Sequence, residues 1–365
     1  MNPPPRYELP GPALSDFELE VVPGLEDFVI QEMKNRCPQG MTIHRLPTEG
    51  RLTVHIEHGI GLLNDLRPVT AVYASQHFEV PRPRALLGQQ HFDRLTSLAA
   101  AIVSTHPEGT FKTVRVSAAG ADSSVFSRLK QQLAAALTLT LSEGPADLLV
   151  IIRPSPRSGG GRWQALVRTT PRPLSARPWR VCDMPGALNS TVAHAMVSLA
   201  QPHPNESFVN LACGSGTLIV ERLELGPARS VVGYDVETRA LECARANLKA
   251  SRHDSEVGLF LHDATQLPLP SASVDTLVAD LPYAMLISTG GANAKLYPRL
   301  LTEASRIARP GARFIVVTTQ RRLMTDVLTQ LQDQWQCLST IPLKISYQRG
   351  YIRPAIYVLS RRPHR

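Results

Sequence analysis

The chain contains no run of about 18 consecutive apolar residues, the length a membrane-spanning helix requires. Its first residues, MNPPPRYELPGP, lack the charged-then-apolar pattern of a secretory leader. They read as a loose, proline-stiffened tail over residues 1–14. Cysteine is sparse: Cys37, Cys182, Cys213, Cys243 and Cys337 are scattered, and no two form a CxxC pair. That spacing argues against a zinc knuckle and against a disulfide framework, and it favours a reducing cytoplasm. Nor do the 11 histidines form an H-E-x-x-H motif, so no metal site is expected.

What remains is an ordinary globular composition, 43% apolar and 19% charged, over 365 residues. That length exceeds a single ordinary core and implies at least two domains. Net charge is +8, compatible with a nucleic-acid partner because phosphate contacts come from Lys and Arg. Both halves carry a similar excess, so the charge reads as spread along the chain with no single basic arm.

The first half alternates short strands and helices. Phe17–Val21, Leu52–Ile56, Phe111–Ser117, Leu148–Ile152 and Trp163–Val167 read as strands, and Asp122–Leu141 as a long amphipathic helix. Pro23-Gly24 breaks the first strand before a helix containing Val29 and Met33. This is a mixed α+β region over 15–170. Residues 171–188, rich in proline and arginine, read as a connector. From 189 the pattern becomes strand, helix, strand, helix, which calls for a parallel, doubly wound α/β sheet, Rossmann-like in outline. The last two strand candidates flank Gln348-Arg349-Gly350 and predict a closing antiparallel hairpin.

Chemistry concentrates where the strands of the second half end. The first runs into Asn210-Leu211-Ala212-Cys213-Gly214-Ser215-Gly216-Thr217, in which glycines let backbone approach a ligand ahead of a helix N-terminus. The third glycine of a dinucleotide fingerprint is replaced by Ile219, which disfavours a nicotinamide cofactor. Cys213 reads as a packing residue and Ser215 as a loop hydroxyl. Asp235 ends the second strand, where such folds place an acid on ribose hydroxyls, although a helix cap before Glu237 also explains it. Asp263 ends the third, as an adenine contact or a turn residue. Asp280-Leu281-Pro282-Tyr283 ends the fourth, combining a carboxylate, a stiffened turn and a ring able to stack a base.

In this order the motifs resemble the class I, S-adenosylmethionine-dependent amino-methyltransferases. More closely, the chain is similar to the THUMP-domain tRNA guanine-N2 methyltransferases. The supporting stretches are FELEVVPGLEDFVIQEM at 17–33, the 111–152 block, Arg177-Pro178-Trp179-Arg180, NLACGSGTLIVE at 210–221 and GYIRPAIYVLSRR at 350–362. The resemblance implies a THUMP-like RNA-binding region before a methyltransferase domain over 189–365. It implies transfer of methyl from S-adenosylmethionine to guanine N2 in tRNA, with the N-terminal region on the acceptor end. The cofactor would meet Asn210, Ala212, Gly214, Gly216, Thr217, Asp235, Val236, Asp263 and Ala264. Asp280, Pro282 and Tyr283 would be catalytic. Arg177, Trp179 and Arg180 would contact RNA, or else pack the connector against the domains. A cytoplasmic monomer is expected, with no membrane and no metal. Two residues depart from the family pattern: Asn210-Leu211 replaces Asp-Pro, and Leu281 replaces the first proline of Asp-Pro-Pro-Tyr. Adenine-N6 methylation and a non-catalytic RNA-binding role are the rival readings.

Overall fold

The computed structural model describes residues 14–37, 39–57, 59–156, 162–281, 290–347 and 350–363. The chain divides into two compact units: residues 1–21 with 26–174, and residues 22–25 with 175–365. The expected connector is therefore not a free span, because everything from Ser175 onward belongs to the second unit.

The first unit runs β1 (Asp16–Val21), α1 (Glu26–Arg36), β2 (Met41–Arg45), β3 (Arg51–Ile56), α2 (Ile60–Asn64), β4 (Val69–Phe78), α3 (Gln89–Ser104), β5 (Thr113–Ala118), α4 (Ser124–Leu137), β6 (Thr140–Leu141), β7 (Leu148–Pro154) and β8 (Trp163–Arg168). Its eight strands make one mixed sheet in the order β2-β3-β1-β4-β8-β7-β5-β6. Period-two alternation sets the two faces. Phe17, Leu19 and Val21 are buried in the core, while Glu18 and Glu20 point the other way and pair with Arg51. The strand at Val69–Phe78 and the helix at Gln89–Ser104 have no counterpart in the sequence reading. Helix α4 begins where Ser123 Oγ accepts from Phe126 N, and it stops at Thr138, whose φ of 56° is left-handed.

The second unit runs α5 (Ser190–Leu199), β9 (Ser207–Leu211), α6 (Thr217–Leu223), β10 (Ser230–Asp235), α7 (Thr238–Ala250), β11 (Val257–Leu261), β12 (Val274–Asp280), α8 (Gly290–Ile307), β13 (Ala308–Thr318), α9 (Arg321–Gln330), β14 (Trp335–Pro342), β15 (Ile345–Tyr347), β16 (Gly350–Ile352) and β17 (Ala355–Arg361). Seven strands form a sheet ordered β11-β10-β9-β12-β13-β17-β14. The first five are parallel, and β17 inserts antiparallel between β13 and β14. Residues Phe208, Val209, Leu211, Leu277, Val278, Ala279, Phe314, Ile315 and Val316 are buried on both faces, as a parallel sheet covered by helices demands. The strand order reverses between β10-β9 and β12, so the carboxyl ends of these strands open a crevice at a topological switch point. The predicted closing hairpin is present as β14 with β17. The short β15–β16 ribbon between them is a separate two-stranded sheet.

Candidate active site

A cavity of about 220 Å³ lies at the carboxyl edge of the second sheet. Its walls include Met184–Leu188, the turn Ala212–Ser215, Thr217, Leu218, Asp235, Val236, Ala240, Asp280 and Leu281.

The glycine turn is positioned by its own backbone and by the acid of the next strand. Cys213 N donates to Tyr234 O at 2.8 Å, and Gly214 N donates to Asp235 Oδ2 at 2.8 Å. Asp235 Oδ1 accepts from Glu237 N at 3.0 Å. The acid therefore braces the turn and starts the next helix while its carboxylate still lines the cavity. A carboxylate has about four acceptor sites, so hydroxyls of a ligand can still be accepted. Ala212 (φ 51°) and Gly214 (φ 53°) take left-handed conformations, and a Cβ on Gly214 would meet nothing within 4 Å. Gly216 has a different task. Its φ is 76°, and a Cβ there would stand 3.1 Å from Ala244 Cβ, so this glycine lets α6 and α7 close. Val236, 65% exposed, offers an apolar flank beside Asp235. An acceptor for a diol beside an apolar ledge and an open glycine turn fits a nucleoside.

Across the cavity, Asp280 ends β12 paired with Val317 of β13. Buried Tyr297 donates to or accepts from Thr318 Oγ1 at 2.7 Å; burial first, and the Asp280 charge further down, push its phenol up to about 12. Pro282 and Tyr283, the other two catalytic expectations, lie outside the described residues. Cys213 is buried, and burial pushes its thiol well above the ordinary range, which suits packing and not nucleophilic attack.

Several expected ligand contacts have other partners. Asn210 does not line the cavity. It is fully buried, and its Nδ2 donates to Val278 O at 3.2 Å and Leu211 O at 3.3 Å, pinning β9 to β12. Its Oδ1 is buried with no hydrogen-bond partner among the described residues. Asp263 is a turn residue: its Oδ1 accepts from Thr265 N at 2.8 Å, and that bond chiefly holds its carboxyl below the usual range. Ala264 is packed in the core with Tyr234 and Leu267. Neither lines the cavity.

The Arg-Pro-Trp-Arg stretch is a clamp, correcting its reading as an RNA contact. Arg177 is buried and its Nε donates to the buried Glu221 Oε1 at 2.8 Å, with His194 Nδ1 3.4 Å from the other carboxylate oxygen. Trp179 is buried too. Arg180 stacks over it at 5.5 Å and donates to Leu188 O, Ser190 Oγ and Thr217 Oγ1 at 2.8–3.0 Å. Arg177 and Trp179 are thus enclosed away from phosphates, while the half-buried Arg180 is held by these acceptors and by Asp183.

Sequence spacing also missed two devices holding the cavity wall. Cys182 and Cys243 form a disulfide with Cα atoms 5.4 Å apart, contrary to the expectation of unpaired cysteines. They lie 61 residues apart, a separation at which spacing says nothing of pairing. One turn along the same helix, Asn247 Oδ1 accepts from Val181 N and Cys182 N, while its Nδ2 donates to Cys182 O and Ser215 O. Among the described residues, no group of three or more His, Cys, Asp or Glu side chains could hold a metal ion.

The UPF0020 family, described as an RMKL-like methyltransferase domain, matches residues 177–349. Mouse (Mus musculus) tRNA (guanine(6)-N(2))-methyltransferase THUMP3 is 30% identical over 190 residues, covering 48% of this chain and 37% of that protein. Bovine (Bos taurus) U6 snRNA (guanine-N(2))-methyltransferase THUMPD2 is 32% identical over 133 residues, covering 36% and 26% respectively. The chain thus spans between about a quarter and somewhat over a third of the length of these relatives. The crystal structure of TrmN from Thermus thermophilus superposes with a TM-score of 0.67 at 23% identity, covering 95% of this chain and 99% of that one. The fold is thereby shared with TrmN over nearly the whole chain. Residues 177–349 are thus similar to the UPF0020, RMKL-like methyltransferase domain.

Proposed function

We propose that the protein is an S-adenosylmethionine-dependent RNA methyltransferase acting on the exocyclic N2 of a guanosine in tRNA. The observation that carries this reading is the convergence of the Gly214 turn, Asp235 and Asp280 on one cavity. When bound, the cofactor supplies an electrophilic methyl group. Asp235 would accept its ribose hydroxyls, and Val236 would offer an apolar flank to its base. Asp280, on the opposite wall, accepts a hydrogen bond from the target amine. That bond would orient the nitrogen so that its ring-delocalised lone pair forms the new N–C bond as the S–CH3 bond breaks, with S-adenosylhomocysteine leaving and the amine proton passing to the Asp280 carboxylate or to water; most of the rate comes from alignment. The residues after it, Pro282 and Tyr283, are proposed to stiffen the turn and stack the base. A guanine must leave its helical stack to enter such a cavity.

The finer proposals follow from the same resemblance. Residues 15–170 are taken as a THUMP-like region gripping the acceptor end of tRNA, 171–188 as the connector and 189–365 as the catalytic domain. The target is a guanosine of the acceptor stem, and the enzyme works as a cytoplasmic monomer. The similarity to a U6 snRNA enzyme supports one rival substrate.

Labelled cofactor is incubated with the full chain and, separately, with unmodified tRNA and U6 snRNA, and the nucleosides are separated after digestion. N2-methylguanosine from tRNA is the expected product. Label in N6-methyladenosine, or label only with U6 snRNA, redirects the assignment. Cofactor binding by calorimetry without transfer to any RNA overturns it.

A further inference from the structure

The net charge is not spread along the chain. Residues 334–365 contain Lys344, Arg349, Arg353, Arg361, Arg362 and Arg365 but no Asp or Glu. They supply six of the net eight positive charges, leaving +2 for the 333 residues before them. Equal totals in the two halves hid this, because the carboxylates of the second half all precede residue 334.

Within this acid-free stretch, β15 and β16 form a ribbon that stands apart from the main sheet. Its root is well fixed. Leu343 is buried and its N–H donates to Pro354 O at 2.8 Å, and Lys344 N donates to Pro23 O at 3.0 Å. Gly24, at φ +104°, is needed there, since a Cβ would come within 2.1 Å of Pro342 O. The ribbon's two faces differ. Ile345 and Ile352 pair across the strands on one face and are half-buried. On the other, Tyr351 sits opposite Ser346 and is 64% exposed, with the Lys344 ammonium 4.8 Å from its ring centroid. Arg353, just past β16, is exposed as well.

The register fixes where the ribbon leaves the sheet. Pro342 and Thr318 both pair with Ala355, and Asp280 pairs with Val317. The ribbon therefore departs from the carboxyl edge that also carries Asp280. Two to three strand spacings of about 4.8 Å separate them, roughly 10–15 Å. A nucleic-acid strand rising about 3.4 Å per nucleotide covers that in three or four nucleotides.

We propose that the β15–β16 ribbon is an RNA-contacting arm beside the catalytic cavity, on which Tyr351 stacks a base and Lys344 and Arg353 meet phosphates of the strand flanking the target. The proposal rests on the RNA-methyltransferase reading. Charge complementarity selects a polyanion as occupant, and an exposed ring under a cation is the surface on which unpaired bases stack.

The test is fluorescence anisotropy of a labelled, unmodified tRNA transcript titrated with the full chain at several salt concentrations. For Lys344→Gln with Arg353→Gln, loss of two phosphate contacts flattens the slope of log affinity against log salt by about 1.5. Tyr351→Ala weakens binding by about tenfold, the lower part of what one stacked base is worth. Tyr351→Phe keeps the ring and binds as the native protein does. Cofactor affinity by calorimetry stays unchanged in all three variants, showing that the sheet is intact. Native RNA affinity and salt slope in the variants overturn the arm while leaving the catalytic reading standing. No RNA binding by the native protein overturns both. Loss of self-association with unchanged RNA affinity would reassign the ribbon to a protein contact.

Discussion

The carboxylate of Asp235 accepts a hydrogen bond from the backbone N–H of Gly214 at 2.8 Å, so the acid of one strand holds the glycine turn that follows its neighbour. Asp235→Ala removes this bond, the bond to Glu237 N and the acceptor for ribose hydroxyls together. Hydrogen bonds to a charged group contribute about 1.5–3 kcal/mol each, so cofactor affinity falls by at least about tenfold. Isothermal titration with S-adenosylhomocysteine reads this directly, and unchanged affinity would refute the role.

The two glycines of the turn respond differently to a methyl group. Alanine at either position meets a left-handed backbone, costing about 1–2 kcal/mol. At Gly216 the added Cβ also presses on Ala244 Cβ at 3.1 Å, whereas at Gly214 it enters open space beside the cavity. Gly216→Ala is therefore the larger loss in thermal unfolding, and Gly214→Ala the larger loss in cofactor affinity relative to stability.

Arg177 and Glu221 form a buried pair, so removing the arginine takes a close countercharge from a buried carboxylate that keeps His194 beside it. Arg177→Met lowers stability by about 3–5 kcal/mol, and Glu221→Met on the same chain restores part of it. Denaturant unfolding of the single and double variants measures the difference. An arginine that served RNA would behave in the opposite way, with normal stability and a weaker dependence of RNA affinity on salt.

These contrasts mark what was legible in the residues. The turn after β9, Asp235 and Asp280 were found because each combines poor strand formers with a strand end. Burial was not legible, and it decides the roles of Arg177, Trp179 and Asn210, which carry the same side chains whether they face phosphate or backbone. Asp263 was ambiguous because an aspartate that caps a turn and one that meets a base read alike. In the first unit, β4 lacks a clean alternation: Ala71, Val72, Tyr73 and Ala74 are all buried, which erases the period-two signal. The insertion of β17 between β13 and β14 is set by long-range pairing that neighbouring residues do not encode.

The disulfide makes the protein sensitive to reductant. Closing a loop of this length contributes about 4 kcal/mol in the chain-entropy treatment. Cys182→Ser, or native protein held in dithiothreitol, melts at lower temperature than the oxidised form by differential scanning calorimetry. Asn247 still grips the backbone around residue 182, so cofactor binding weakens without being abolished. Equal melting with and without reductant would show that the bond contributes nothing.

Every wall residue of the cavity except Asp280 and Leu281 falls between the two bridged cysteines. The cavity is thus walled largely by a closed covalent ring of polypeptide, with Asp280, the proposed catalytic acid, contributed from outside it. A single cut by a protease inside that ring would leave two fragments still joined, with the glycine turn and Asp235 on one molecule.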